Sequence, residues 1–290
     1  MVEITADALD YANTQSKRLR DLILRPETLV MPGAYDGLTA RLFEAMGFQA
    51  IQCSSGAIAA GLGYIDGEVV TLKQTLHLSQ LIADAVTVPV NGDGERGYGN
   101  AQEVGETVRG YILAGCAGMN IEDSSPHSSG EPMTLVPVDE HLEKLEAIMA
   151  TKRELGSEFF VNARPDSFLA YRGNPDAALE EGISRGKMYA AAGADCIFFL
   201  GVTSTEVIRL LVREIPAPVS ILAGPQAPPL SVLQDLGVAR VSYGVAFARA
   251  AGGAIRRLAG EILQSGTIKS LSEAMNGPDI AQIMRNNPQD

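Results

Sequence analysis

Apolar and polar positions along the chain follow one recurring plan. A segment with helical periodicity ends in a small residue plus Gly, and about four residues later a continuous apolar run begins. The plan is visible in FEAMGFQAIQC, ILAGCAGMNIE, AAAGADCIFFL and LQDLGVARVSY. The marker glycines, Gly47, Gly115, Gly193 and Gly237, fit helix C-caps, where the left-handed conformation costs glycine least. Further apolar runs lie between them: TLVMPGAYD (28–36), TVPVNGD (87–93), EFFVNARPD (158–166) and APVSILAG (217–224). Eight strands are therefore predicted, beginning near residues 28, 49, 88, 117, 158, 195, 218 and 239, with amphipathic stretches such as 101–114, 138–154 and 175–192 between them.

Continuous apolar strands alternating with helices imply a parallel sheet covered on its outer side. Eight such units favour a closed α/β barrel, a (β/α)8 TIM-type fold, over an open doubly wound sheet. No GxGxxG follows the first strand, which argues against a dinucleotide site. The 290 residues suit a single barrel domain spanning 1–290. Residues 266–290 lie beyond the eighth unit and read as a C-terminal helical oligomerisation segment.

Charge narrows the partners. A net charge of −12 and a pI near 4.8 exclude nucleic acid and anionic membranes as natural partners. No apolar run is long enough to span a bilayer. The N-terminal stretch reads as a helix, not a signal peptide. Cys53, Cys116 and Cys196 form no CxxC pair, sit in apolar runs and suit a reducing cytoplasm.

In such barrels the C-terminal strand ends build the active site. Two neighbouring ends carry four carboxylates: Asp93 and Glu95 after strand three, Glu122 and Asp123 after strand four. Crowded carboxylates call for a hard divalent cation, and oxygen ligands without a His-rich set favour Mg2+, with Mn2+ as a substitute. Ion pairs with helix arginines or lysines are the alternative. Ser54, Ser55 and Gly56 offer hydroxyls and backbone N–H groups to a carboxylate, although a tight turn gives the same pattern. Arg164 can grip an anion with its planar fork. His127 lies in SSPHSSGEP, a composition suited to a mobile lid or to a plain exposed loop. His77 and His141 fall within helices and read as structural.

The segments PGAYDGLTARLFEAMGF, CSSGAIAAGLGYIDGE, DGERGYGN, GMNIEDS and NARPDSF together resemble the isocitrate lyase / phosphoenolpyruvate mutase superfamily over roughly residues 28–250. The resemblance implies a barrel with C-terminal helices swapped between subunits in a dimer of dimers. It also implies Mg2+, an α-oxo or α-hydroxy carboxylate substrate and an enolate-like intermediate. Asp93 would be the direct metal ligand, and Glu95 and Glu122 would hold the metal's waters. Ser54, Ser55 and Gly56 would grip the substrate carboxylate and oxo group, Asp66 would lie near the site, and Arg164 would hold the far anionic group.

Two departures narrow the activity. The KKCGH-type lid of isocitrate and methylisocitrate lyases is absent, and the sixth strand ends in IFFLGV without the His of the phosphonate mutases. The expected activity is a Mg2+-dependent lyase or decarboxylase that cleaves a C–C bond through a metal-bound enolate, with proton transfer by His127, or failing that by Ser128, Ser129 or water. A phosphonopyruvate-type C–P hydrolase or mutase ranks second, and a catalytically reduced oxo-acid binder third.

Overall fold

The computed structural model describes residues 4–126 and 131–285. His127, Ser128 and Ser129, singled out from the sequence, lie outside the described residues. Strands β1 (Leu29–Met31), β2 (Gly33–Ala34), β3 (Ile51–Cys53), β4 (Val90–Asp93), β5 (Gly118–Glu122), β6 (Phe160–Arg164), β7 (Cys196–Phe199), β8 (Val219–Leu222) and β9 (Arg240–Ser242) form one parallel sheet. All but β2 start near a predicted position, and β2 falls inside the first predicted run.

The sheet closes on itself. β1 pairs with β9 and β2 with β3, yet β1 and β2 are one run interrupted only by Pro32. Proline has no N–H to give the ladder, but the Pro32 carbonyl still accepts from Gln52 N at 3.0 Å. The run thus joins both edges, and the barrel has the eight staves that the sequence implies.

Alternation along the strands sorts side chains into an outer shell and an interior. The outer shell packs Ile51, Val90, Met119, Ile121, Val161, Ile197 and Ile221 against the helices. Inside, the floor is apolar. Leu29, Met31, Ala50, Ala117, Phe160 and Cys196 meet Leu19, Leu22 and Ile23 of the N-terminal helix Ala6–Ile23. That helix is tied down by Ser16 Oγ, which donates to Ala117 O at 2.7 Å, and by an Arg20–Asp195 ion pair at 3.0 Å. All three cysteines are buried and unpaired, as read from their apolar settings.

Beyond β9 the chain runs through the helix Ala246–Ser265, which has no buried residue, and a short 3-10 turn, Lys269–Glu273. The helix Gly277–Met284 then packs on the helix Gly37–Ala45, where Arg41 Nε and Nη2 donate to Ile283 O at 3.0 and 2.8 Å. Among the described residues no helix is long and apolar enough to cross a membrane.

His77 is exposed on the helix Leu72–Asp84, whereas His141, on Val138–Leu155, is fully buried with its ring 4.5 Å from that of Tyr189. Burial, and then the charges of Lys144 and Arg185, push the His141 imidazole down to about 3. It stays neutral in the fold, while in the unfolded chain it takes a proton below 6.5. Its contribution to stability is therefore complete above pH 6.5 and is lost as pH falls from there towards 3. Between pH 7 and pH 5 the wild-type melting temperature should fall further than that of His141→Phe. Parallel falls would show that His141 is not the titrating group.

Candidate active site

Strands β3 to β6 end side by side, and the inward side chains of those ends gather at one mouth. Ser54 follows β3, Asp93 closes β4, Glu122 closes β5 and Arg164 closes β6; the loops after β3 and β4 add Asp66 and Glu95. Asp93, Glu95 and Glu122 are each less than a tenth exposed. Asp93 Oδ2 accepts from Ser55 N at 3.2 Å, and Tyr111 Oη donates to the Asp93 carbonyl at 2.5 Å. Asp93 Oδ1 is buried and has no hydrogen-bond partner.

Crowding shows in the acidities. Burial, followed by the neighbouring carboxylates Asp93, Asp66 and Glu122, pushes the Glu95 carboxyl up to about 9. Burial also raises Asp66 and Asp93, with Glu122 adding to both and Arg164 opposing. Arg164 is the one guanidinium in the cluster, and this chain's own carboxylates already hold it. Nε and Nη2 donate to Asp166 at 2.8 and 2.9 Å, and Nη1 pairs with Glu122. Two of its five N–H bonds remain for a ligand. Among the described residues no three His, Cys, Asp or Glu side chains form a ready-made metal cage.

Ser54, Ser55 and Gly56 open the short helix Ser55–Gly61, with Ser54 at the N-cap and its hydroxyl unused for capping. A Cβ on Gly56 would come 2.7 Å from Asp66 Oδ2 and 2.9 Å from Val245 Cγ1. Only glycine lets the Asp66 carboxylate close over this turn.

The quartet of carboxylates inferred from the sequence needs one correction. Asp123 follows Glu122 directly, so strand alternation turns it outward, away from the mouth. Its Oδ2 accepts from Tyr189 Oη at 2.6 Å and Arg185 Nη1 at 3.0 Å, and its Oδ1 accepts from Asp166 N at 2.8 Å. For this residue the ion-pair alternative is the one realised. Its carbonyl also accepts from Val136 N at 2.9 Å, and Ser125 N donates to Thr134 O at 2.7 Å. The loop that leaves β5 is thereby closed at its base.

Sequence reasoning missed a clasp between the loops carrying Asp66 and Glu95. The Glu68 carboxylate accepts from Arg96 N, Arg96 Nη2 and Tyr98 N at 2.9 to 3.0 Å, and Glu95 Oε2 accepts from Glu68 N at 3.2 Å. Glu68, Glu95 and Tyr98 have φ of 60°, 46° and 54°, and they are the described non-glycine residues in the left-handed region. Such strain persists only where the surroundings enforce it, and it concentrates at functional sites. The glycines of GYIDGE and DGERGYG were the available signal.

The sequence profile of the phosphoenolpyruvate phosphomutase family matches residues 19–263. The chain is 31% identical over 264 residues to a 2-methylisocitrate lyase of Aeropyrum pernix, covering 89% of this chain and 82% of that one. It is 33% identical over 222 residues to an oxaloacetate decarboxylase of Paraburkholderia xenovorans, covering 74% and 70%. The solved structure of oxaloacetate acetylhydrolase in complex with its product oxalate superposes with a TM-score of 0.84 at 26% identity, covering 95% of each chain.

Arg185 is the cation that faces the fully buried Asp123 carboxylate. Arg185→Met leaves that charge uncompensated, and the expected loss is about 3–5 kcal/mol of unfolding free energy in urea titrations. Adding Asp123→Asn should restore part of it. A single variant within 1 kcal/mol of wild type, a margin typical of exposed pairs, would contradict the role.

Proposed function

The chain belongs to the phosphoenolpyruvate phosphomutase family, and from that premise we propose that it is a Mg2+-dependent carbon–carbon lyase or decarboxylase of a small α-oxo or α-hydroxy (di)carboxylate. The observation that carries this reading is Asp93 Oδ1, a buried carboxylate oxygen without a partner at the centre of an acidic mouth. An oxygen in that state suits a hard cation. Asp93 would hold Mg2+ directly, and Glu95 and Glu122 would hold it through water. Mg2+ commonly keeps several waters, so no cage of three side chains is required. Mn2+ fits the same donors. When bound, the ion supplies Lewis-acid polarisation of the substrate's oxo and carboxylate oxygens.

The chain's own residues do the rest. Backbone N–H groups and hydroxyls at Ser54, Ser55 and Gly56 bind the reacting carboxylate. The two free N–H bonds of Arg164 take the distal anionic group, and Asp166 and Glu122 fix the plane in which they point. Arg164, Asp66 and His127 are the proposed catalytic residues, with His127 moving the proton. C–C cleavage ranks above C–P chemistry because β7 runs on as FLGV without a histidine. The lyase and decarboxylase relatives support the same order. Three buried, unpaired cysteines suit a cytoplasmic setting.

The test is turnover of an oxo-acid panel with Mg2+, beside calorimetry of Mg2+ itself. Asp93→Ala should lose Mg2+ binding and, with it, on the order of 1000-fold or more in kcat. His127→Ala should keep Mg2+ binding and lose about 100- to 10,000-fold in kcat. Unchanged Mg2+ affinity in Asp93→Ala would remove the metal assignment. Full activity in His127→Ala would move proton transfer to Ser128, Ser129 or water.

The C-terminal segment supports a homo-oligomer, read here as a dimer of dimers. On the helix Ala246–Ser265, Ile255 is 67% and Leu263 88% exposed, and Ile268, Leu271 and Met275 follow at 43–48%. Apolar side chains exposed in such a row fit a partner surface. Light scattering should give at least a dimer, and removal of residues 266–290 should give smaller or insoluble species. A monomeric full-length chain would overturn this.

A further inference from the structure

Between the apolar floor and the acidic mouth lies a buried layer of amides and one guanidinium. Gln52, Asn91, Asn120, Asn162 and Arg240 come from β3, β4, β5, β6 and β9, and all are essentially inaccessible. Asn91 Nδ2 and Asn162 Nδ2 donate to Asn120 Oδ1 at 3.0 and 2.7 Å. Arg240 is fully buried, its guanidinium 5.3 Å from the Phe198 ring centre, and burial pushes it down to about 10. Among the described residues no carboxylate forms an ion pair with it. A buried, unpaired charge is costly, so the contacts Arg240 does make carry weight.

Arg240 Nη2 donates to Gln52 Oε1, and Asn91 Nδ2 donates to the same oxygen at 2.9 Å. Both donors demand an acceptor, so the Gln52 amide can face them only with its oxygen. Its Nε2 must then point the other way, where it donates to Cys53 O at 2.6 Å and Gly92 O at 3.1 Å. Those two carbonyls immediately precede Ser54 and Asp93. The β3–β4 ladder itself ends at the pair Gln52–Asn91. Past that point, among the described residues, the two strand ends are tied by this amide and by the contact from Ser55 N to Asp93.

We propose that Gln52, oriented by the buried Arg240, is a positioning residue that sets the spacing between the Ser54–Gly56 turn and Asp93, and so the fit of an oxo-acid carboxylate beside the cation. The inference rests on the reading of the mouth as a Mg2+ and oxo-acid site. Its variants separate positioning from packing. Gln52→Glu keeps the one acceptor oxygen that Arg240 and Asn91 share and gains an ion pair, but it cannot donate to Cys53 O and Gly92 O. Gln52→Met keeps the volume and removes every hydrogen bond.

Binding is read by calorimetry of Mg2+, and of oxalate in saturating Mg2+, with melting temperatures alongside. Oxalate presents adjacent oxygens like the carboxylate and oxo group of an oxo-acid. Gln52→Glu should melt near wild type and bind oxalate about 10- to 100-fold more weakly, the usual cost of losing a supporting hydrogen bond behind a metal ligand. Its KM for the oxo-acid should rise by a similar factor. If Gln52→Glu fails to fold, Gln52→Met carries the same expectation for oxalate affinity and KM, with a lower melting temperature because Arg240 loses its acceptor. A folded variant with wild-type oxalate affinity and KM overturns the proposal, leaving Gln52 a packing residue whose loss moves only the melting temperature. A wild-type protein that binds neither Mg2+ nor oxalate overturns the functional reading itself, and this inference with it.

Discussion

Burying carboxylates together raises the free energy of each, because every one loses hydration and feels its neighbours' charge through a medium that screens poorly. Asp93, Glu95 and Glu122 lie buried in one mouth, with the exposed Asp66 at its rim, and they share a single guanidinium that Asp166 also claims. Much of the surrounding architecture bears on that burden. The Glu68–Arg96 clasp holds two acidic loops against each other in left-handed backbone. Gly56 lets Asp66 lie flat on the turn. Arg240 places the only charge of the interior layer beneath Asp93, and it is positive. Each device limits the repulsion or holds the chain against it, and a deficit of positive charge remains at the mouth.

The interior is accordingly stratified. An apolar floor sealed by the N-terminal helix supports an amide layer, and the amide layer supports the charged mouth. Amides are suited to the middle position. They satisfy one another without net charge, and they offer both donors and acceptors to the backbone ends where the ladder has stopped.

Much of this was legible in the residues. The barrel follows from the repeated helix, glycine and strand pattern, and the site from reading strand ends in order, because a parallel barrel delivers those ends to one face. Adjacent residues misled where parity was ignored. Glu122 and Asp123 look like a pair in the sequence, yet a strand sends neighbours to opposite sides, and period-two reasoning would have separated them. The partners of buried polar groups were not legible for a different reason. Arg240 meets Gln52 across 188 positions, and Arg41 meets Ile283 across 242. Such pairings are fixed only when the barrel closes, and no local pattern encodes them. Arg164 reads in the sequence as a candidate anion ligand, but its engagement with Asp166, two residues on, depends on how the chain turns after β6.

The stitched base of the loop after β5 bears on how such barrels diversify. The backbone bonds from Val136 to Asp123 and from Ser125 to Thr134, together with the bridge between Ser124 and Leu135, fix both ends of the loop. Arg185 holds Asp123 on one side and the Val136 carbonyl on the other. Whatever sequence is inserted between those ends starts and finishes at the same two points above Glu122. The segment is therefore a cassette: evolution or a designer can exchange its chemistry while the acidic mouth, the Ser54–Gly56 turn and the barrel itself stay as they were.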